Sequence, residues 1–112
     1  MKKVINTEMS ETMKSIMVEA WSFVKKNGYT ISEALHVAWT NFKLRKALRK
    51  GVVEFYFKKV DGSIRQAFGT LKPGEIPTTN GTRHQYTGTQ VYYDTEKADW
   101  RCYKTCNLLR IA

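Results

Sequence analysis

Apolar residues recur at helical spacing through Met13, Ile16, Met17, Ala20, Trp21 and Val24, and Asn27-Gly28 follows as a left-handed stop. The pattern predicts an opening amphipathic helix, for which Ser10 or Thr12 is the candidate cap. A second helix begins at Thr30-Ile31-Ser32-Glu33. There the Thr30 hydroxyl can accept from the Glu33 amide, and the Glu33 carboxylate can accept from the Thr30 amide. Ile31, Leu35, Ala38, Trp39 and Phe42 make the apolar face of this helix. Two such helices joined by a loop of about three residues form an antiparallel hairpin.

The pattern shifts after Phe42. At about 100° per residue, Arg45, Lys46, Arg49 and Lys50 fall on the sector that carried Leu35, Trp39 and Phe42, while Leu44, Ala47 and Leu48 take another side. One stripe cannot serve both halves. Either the helix breaks near residues 41–43, or its last turns leave the hairpin and dock elsewhere through Leu44 and Leu48. Both outcomes place the cations in solvent.

Beyond Gly51 the runs Val52 to Lys59 and Ser63 to Leu71 are rich in β-branched and aromatic residues and bracket Asp61-Gly62, the signature of a β-hairpin. Val53, Phe55 and Phe57 alternate onto one face and are the core candidates, with Val52, Glu54 and Tyr56 opposite. A two-residue turn would pair Phe55 with Phe68, and a three-residue loop with a glycine bulge would pair it with Ala67. Both prolines and three of the seven glycines fall within residues 72–88, which read as a long irregular loop, the kind that binds a partner or stays disordered. Strands are expected at Gln90 to Asp94, Trp100 to Lys104 and Leu108 to Ile111, with a turn over Thr95 to Asp99. The fold class is therefore α+β: an N-terminal helical hairpin with a basic tail over residues 1–50, then a small five-stranded antiparallel barrel over 51–112, forming one folding unit.

Charge sharpens this picture. Nineteen Lys and Arg against ten Asp and Glu give a net charge of +9 on 112 residues. Residues 1–50 hold ten cations and four anions, and residues 51–112 hold nine and six. Such an excess on a small chain favours polyanionic partners, namely nucleic acid, an acidic protein surface or, less often, anionic lipid, and the plainer alternative is a basic but solvated surface. The N-terminal residues lack the apolar run of a signal peptide and no window reaches the length of a membrane span, so a cytosolic protein without a membrane partner is expected. Cys102 and Cys106 are the only cysteines and are expected as free thiols.

The run Val53-Glu54-Phe55-Tyr56-Phe57-Lys58-Lys59-Val60-Asp61-Gly62-Ser63-Ile64-Arg65-Gln66-Ala67-Phe68-Gly69-Thr70-Leu71 ends in an A-x-G-T-L strand. Ile76-Pro77, a V-Y-Y-D segment ending at Asp94, the W-R-x-Y strand from Trp100 and Asn107-Leu108 follow it. Together these resemble WYL_2, a family of small barrels in bacteria and their phages, over about Val53 to Ile111. The leader, with Ala20-Trp21 and Ala38-Trp39, resembles those of phage-encoded relatives. The resemblance implies an SH3/Sm-like barrel and a non-enzymatic role; it transfers no residue role and no cofactor.

Two sets of candidate binding residues emerge. Lys43, Arg45, Lys46, Arg49 and Lys50 crowd five cations into eight residues at a helix end and suit sequence-blind phosphate contact. The plainer reading is a solvated helix terminus, where cations also sit well. Lys58, Lys59, Arg65, Arg101, Lys104 and Arg110 interleave with Tyr56, Tyr92, Tyr93 and Tyr103 on strands, a mixture that can stack bases, although most such rings are packing. Tyr56 is the best stacking candidate because it opposes the core trio. Zinc is disfavoured, since His36 and His84 are distant from the cysteines. A catalytic set is equally absent, with Glu54 the single carboxylate inside a strand run, expected to face a cation.

Three functions fit these features. The first is a phage-encoded module binding nucleic acid or a nucleoprotein. The second is a phage counter-defence inhibitor of the anti-CRISPR type, whose partner would be an RNA-guided CRISPR effector. The third is a homo-oligomeric assembly protein using its apolar helix faces.

Overall fold

The computed structural model describes residues 2–77 and 88–112, with side chains from Glu11 onward. The expected disorder or binding role of the long loop falls largely on residues 78–87, outside the described residues. By compactness the chain divides into two units between Trp39 and Thr40, inside the second helix.

The first unit holds α1 (Lys2–Asn27) and the opening turns of α2 (Ile31–Lys50). Helix α1 starts well before Ser10 and Thr12, so neither residue is its cap. Its buried positions are Ile16, Ala20 and Phe23, whereas Met13, Met17, Val18 and Trp21 are exposed. Of the stripe read from the sequence Ile16 and Ala20 are thus buried, Phe23 joins them, and Met13, Met17 and Trp21 are exposed. Gly28 takes φ +72°, and beyond it Tyr29 donates to the Phe23 carbonyl at 3.4 Å. The capping box is formed: Thr30 N donates to Glu33 Oε1 at 2.9 Å, and Glu33 N donates to Thr30 Oγ1 at 3.1 Å. Neither helix is long and apolar enough to cross a membrane.

Helix α2 does not break. Its buried positions run Ala34, Ala38, Asn41, Leu44 and Leu48, spaced by three and four as one stripe requires. Asn41 is the link that hydropathy could not supply. It is fully buried, donating through Nδ2 to the Thr105 carbonyl at 2.9 Å and accepting from the Tyr103 hydroxyl at 2.9 Å. Leu44 and Leu48 enter the sheet's core beside Phe55, Phe57, Ala67, Tyr92, Tyr103 and Leu108, as the docking alternative required.

The second unit continues as β1 (Val53–Lys58), β2 (Ile64–Thr70), β3 (Thr89–Asp94), β4 (Asp99–Lys104), a 3₁₀ turn (Thr105–Asn107) and β5 (Leu108–Ile111). The antiparallel order is β4-β3-β2-β1-β5. Two N-terminal helices followed by this sheet make an α+β, SH3-like fold. Phe55 pairs with Ala67, so the three-residue loop prevails. Lys59 N donates to the Ser63 carbonyl at 2.7 Å, Gly62 takes φ +94°, and Asp61 Oδ1 accepts from Ser63 N at 3.0 Å. A side-chain bond two residues forward and a glycine at positive φ are what lock such a loop.

The second strand shows why its small residues are there. Ala67 is buried, and a methyl group built on Gly69 would overlap the Tyr92 ring. Thr70 Oγ1 and Leu71 N both donate to the Leu48 carbonyl, at 3.3 and 2.8 Å, and so tie the end of α2 to the end of β2.

Candidate nucleic-acid interface

The ladder between β2 and β3 carries rungs at Gly69–Asp94 and Thr70–Tyr93. A cleft of about 730 Å³ lies between the β1–β2 loop and the β3–β4 hairpin. Its walls carry Phe57, Tyr92, Trp100 and Tyr103, and Lys58, Lys59 and Lys104 are exposed on it. Trp100 is half-buried and meets Tyr93 edge-on, with ring centroids 5.4 Å apart.

Arg65 and Arg101 also line this cleft, and both turn towards Asp94. Arg65 Nη2 lies 3.2 Å and Arg101 Nε 3.6 Å from Asp94 Oδ2. The other oxygen, Oδ1, accepts from the amides of Glu96 at 2.9 Å and Lys97 at 3.1 Å. Two strand arginines therefore share one carboxylate whose side chain is 1% exposed, so this part of the expected basic set is half neutralised. Asp94 closes the V-Y-Y-D segment, and its role escaped the sequence reading because an acid before a turn usually only caps it. Its signal was an arginine on each of two other strands.

Two buried polar atoms here have no partner: Tyr92 Oη and Arg65 Nε. The Arg65 guanidinium stands beside the Tyr92 hydroxyl. Burial raises the Tyr92 phenol above its ordinary value, with Arg65 opposing the shift.

Among the helix-tail cations, Lys43, Lys46, Arg49 and Lys50 are exposed. Lys46 Nζ lies 5.7 Å from the Phe42 ring centroid. Arg45 departs from the expectation that the whole cluster faces solvent: it is half-buried and donates through Nε to Gln90 Oε1 at 3.1 Å. The projection that assigned it to solvent assumed the stripe ended at Phe42, whereas the buried face runs on past it.

Tyr56 lies in another cluster. Its hydroxyl donates to Glu54 Oε2 at 2.8 Å, Gln66 Nε2 donates to the same oxygen, and the Arg110 guanidinium lies 4.3 Å from the ring centroid. One face of the ring thus already carries a cation, which counts against Tyr56 as a base platform. Glu54 takes a phenol and an amide as partners rather than the expected cation alone. These bonds hold the Glu54 carboxyl below its ordinary value, Gln66 contributing most, and raise the Tyr56 phenol. Tyr92 and Tyr103 are core residues, as most of the tyrosines were expected to be. Cys102 and Cys106 are free thiols.

A model of the family described as WYL_2, Sm-like SH3 beta-barrel fold, matches residues 41–109. The chain belongs to the WYL_2 family. The match begins at Asn41, the residue that joins α2 to the barrel, so the WYL_2 unit includes the second half of that helix. Comparison with curated proteins and with solved structures gave no match.

Proposed function

We propose that this WYL_2 protein is a non-enzymatic module that binds nucleic acid, free or within a nucleoprotein, and acts by occupancy in a bacterial host's cytosol as a phage- or mobile-element-encoded factor. The observation that carries the reading is the cleft. Exposed lysines border the half-buried ring of Trp100, and in the same compact unit the α2 terminus presents Lys43, Lys46, Arg49 and Lys50. Cations that displace condensed counterions give affinity, and rings beside them hold unpaired bases.

Fluorescence anisotropy with labelled single-stranded RNA, single-stranded DNA and duplex DNA at about 50 mM salt, where phosphate contacts are strong, tests this. Binding that weakens in Lys46→Ala/Arg49→Ala/Lys50→Ala supports the proposal, and no binding to any probe refutes it.

A second reading is favoured by Met13, Met17, Val18 and Trp21, which leave an apolar stripe exposed on α1. It is a protein-binding role, against a nucleoprotein such as a CRISPR effector or a second copy of the chain. One tight protein partner, with no affinity for naked nucleic acid, would select it.

A further inference from the structure

We infer that the cleft between the β1–β2 loop and the β3–β4 hairpin is a one-nucleotide site, taking a planar base along its aromatic wall and a phosphate at Arg65, Arg101 and Tyr92. This rests on the nucleic-acid reading and narrows it to a unit with an unpaired base. The cleft's volume, about 730 Å³, lies within the usual range for small-ligand sites.

Its polar chemistry specifies the charge of the occupant. A buried polar atom without a partner calls for an explanation, and an absent ligand is one. Tyr92 Oη–H and Arg65 Nε–H are donors, and both residues line the cleft, so the completing group is an acceptor. Asp94 takes one edge of Arg65 and the Nε of Arg101, which orients both guanidiniums without exhausting their N–H groups. Lys58 and Lys104 add exposed positive charge on the same cleft. Anionic oxygens fit this set, and phosphate, with several acceptors on one atom, can meet donors from three strands.

The wall specifies the rest. Trp100, half-buried on the cleft, presents apolar ring surface that a bare inorganic anion would leave unused, while Phe57, Tyr92 and Tyr103 line the cleft as buried core residues. A base offers a π-face of matching size, and stacking on an aromatic ring tolerates any base. Duplex bases are already stacked and paired, so they do not enter without being flipped out. A free mononucleotide and one residue of a single strand share the required chemistry.

The test is NMR of the full chain, following Arg Nε–H and Trp indole N–H signals during titration with uridine monophosphate, a six-residue oligouridylate, ribose 5-phosphate and a short duplex. Wild type is compared with Tyr92→Phe. The first two ligands should shift the Arg65 and Trp100 signals, with ribose 5-phosphate weaker by about tenfold for want of a base. Tyr92→Phe should weaken uridine monophosphate several-fold while Tm holds or rises, because removing an unsatisfied buried hydroxyl does not cost stability. Equal affinity for monophosphate and oligomer identifies a free nucleotide as the occupant, and much tighter oligomer binding identifies a strand. Unmoved cleft signals, with the oligomer still binding through the α2 terminus, overturn the one-nucleotide site and leave the function standing. Failure of every nucleic acid to bind overturns both. An affinity unchanged in Tyr92→Phe removes that hydroxyl from the site and overturns the phosphate assignment.

Discussion

Replacing Asn41 by leucine puts an apolar residue on a stripe that is otherwise apolar, and hydropathy alone expects a gain. The structure expects a loss. Asn41 is fully buried and serves two groups, the Tyr103 hydroxyl and the Thr105 carbonyl, each at 2.9 Å. Taking the acceptor from the buried Tyr103 hydroxyl costs about 1–3 kcal/mol. The Thr105 carbonyl also accepts from the Leu108 amide, so it loses one of two donors, a cost of about 1 kcal/mol. The added apolar surface of leucine returns up to about 1 kcal/mol, leaving a net destabilisation of about 1–4 kcal/mol. Urea unfolding followed by near-ultraviolet circular dichroism, which reports the packed tyrosines, measures this from the midpoint at constant slope. Asn41→Leu/Tyr103→Phe should recover about 1–2 kcal/mol relative to the single variant, since the stranded hydroxyl is gone. A neutral or stabilised Asn41→Leu would refute the reasoning, as would a double variant whose losses simply add.

Further outcomes follow from the sheet. Asp94→Asn removes the carboxylate shared by Arg65 and Arg101. It should cost about 2–4 kcal/mol, discounted from a fully buried pair because Arg101 is 42% exposed. The same change should tighten polyanion binding by freeing two cations, so a folded Asp94→Asn with weaker binding contradicts the assignment. Gly69→Ala drives a methyl into the Tyr92 ring and should lower stability by about 1–3 kcal/mol in thermal unfolding. Burial raises the Tyr92 phenol, so its contribution is fully present below the ordinary tyrosine value of 10.0 and is lost as pH rises through the folded value. Stability measured across this alkaline range should fall more steeply for wild type than for Tyr92→Phe.

Where sequence pattern and physics coincided, the fold was legible. The alternation of Val53, Phe55 and Phe57 put Phe55 and Phe57 in the core, and Thr30 with Glu33 formed the expected box. The register was open only between two loop lengths, and the Asp61–Ser63 bonds with Gly62 at positive φ decide it. Hydropathy failed where a polar residue belonged to the core. Asn41 looked like the end of a stripe and is its middle, and reading it as an end sent Arg45 to solvent when that side chain reaches Gln90. On α1 the pattern found Ile16 and Ala20 but missed Phe23, and it counted Met13 and Trp21, which are exposed. The exposed lysines of the candidate site were visible as charges. The sharing of Asp94 by two arginines was not, because it joins three strands and Arg65 lies 29 residues from Asp94 in sequence.

The most direct test of the central claim is the salt dependence of single-strand binding. The logarithm of the association constant is plotted against the logarithm of salt concentration for wild type, for Lys46→Ala/Arg49→Ala/Lys50→Ala and for Lys58→Ala/Lys104→Ala. Nucleic-acid binding through these cations predicts a steep negative slope that flattens by about 0.7 for each phosphate contact removed. Tight binding with a slope near zero, or a slope unchanged in both variants, would contradict the account and favour a protein partner.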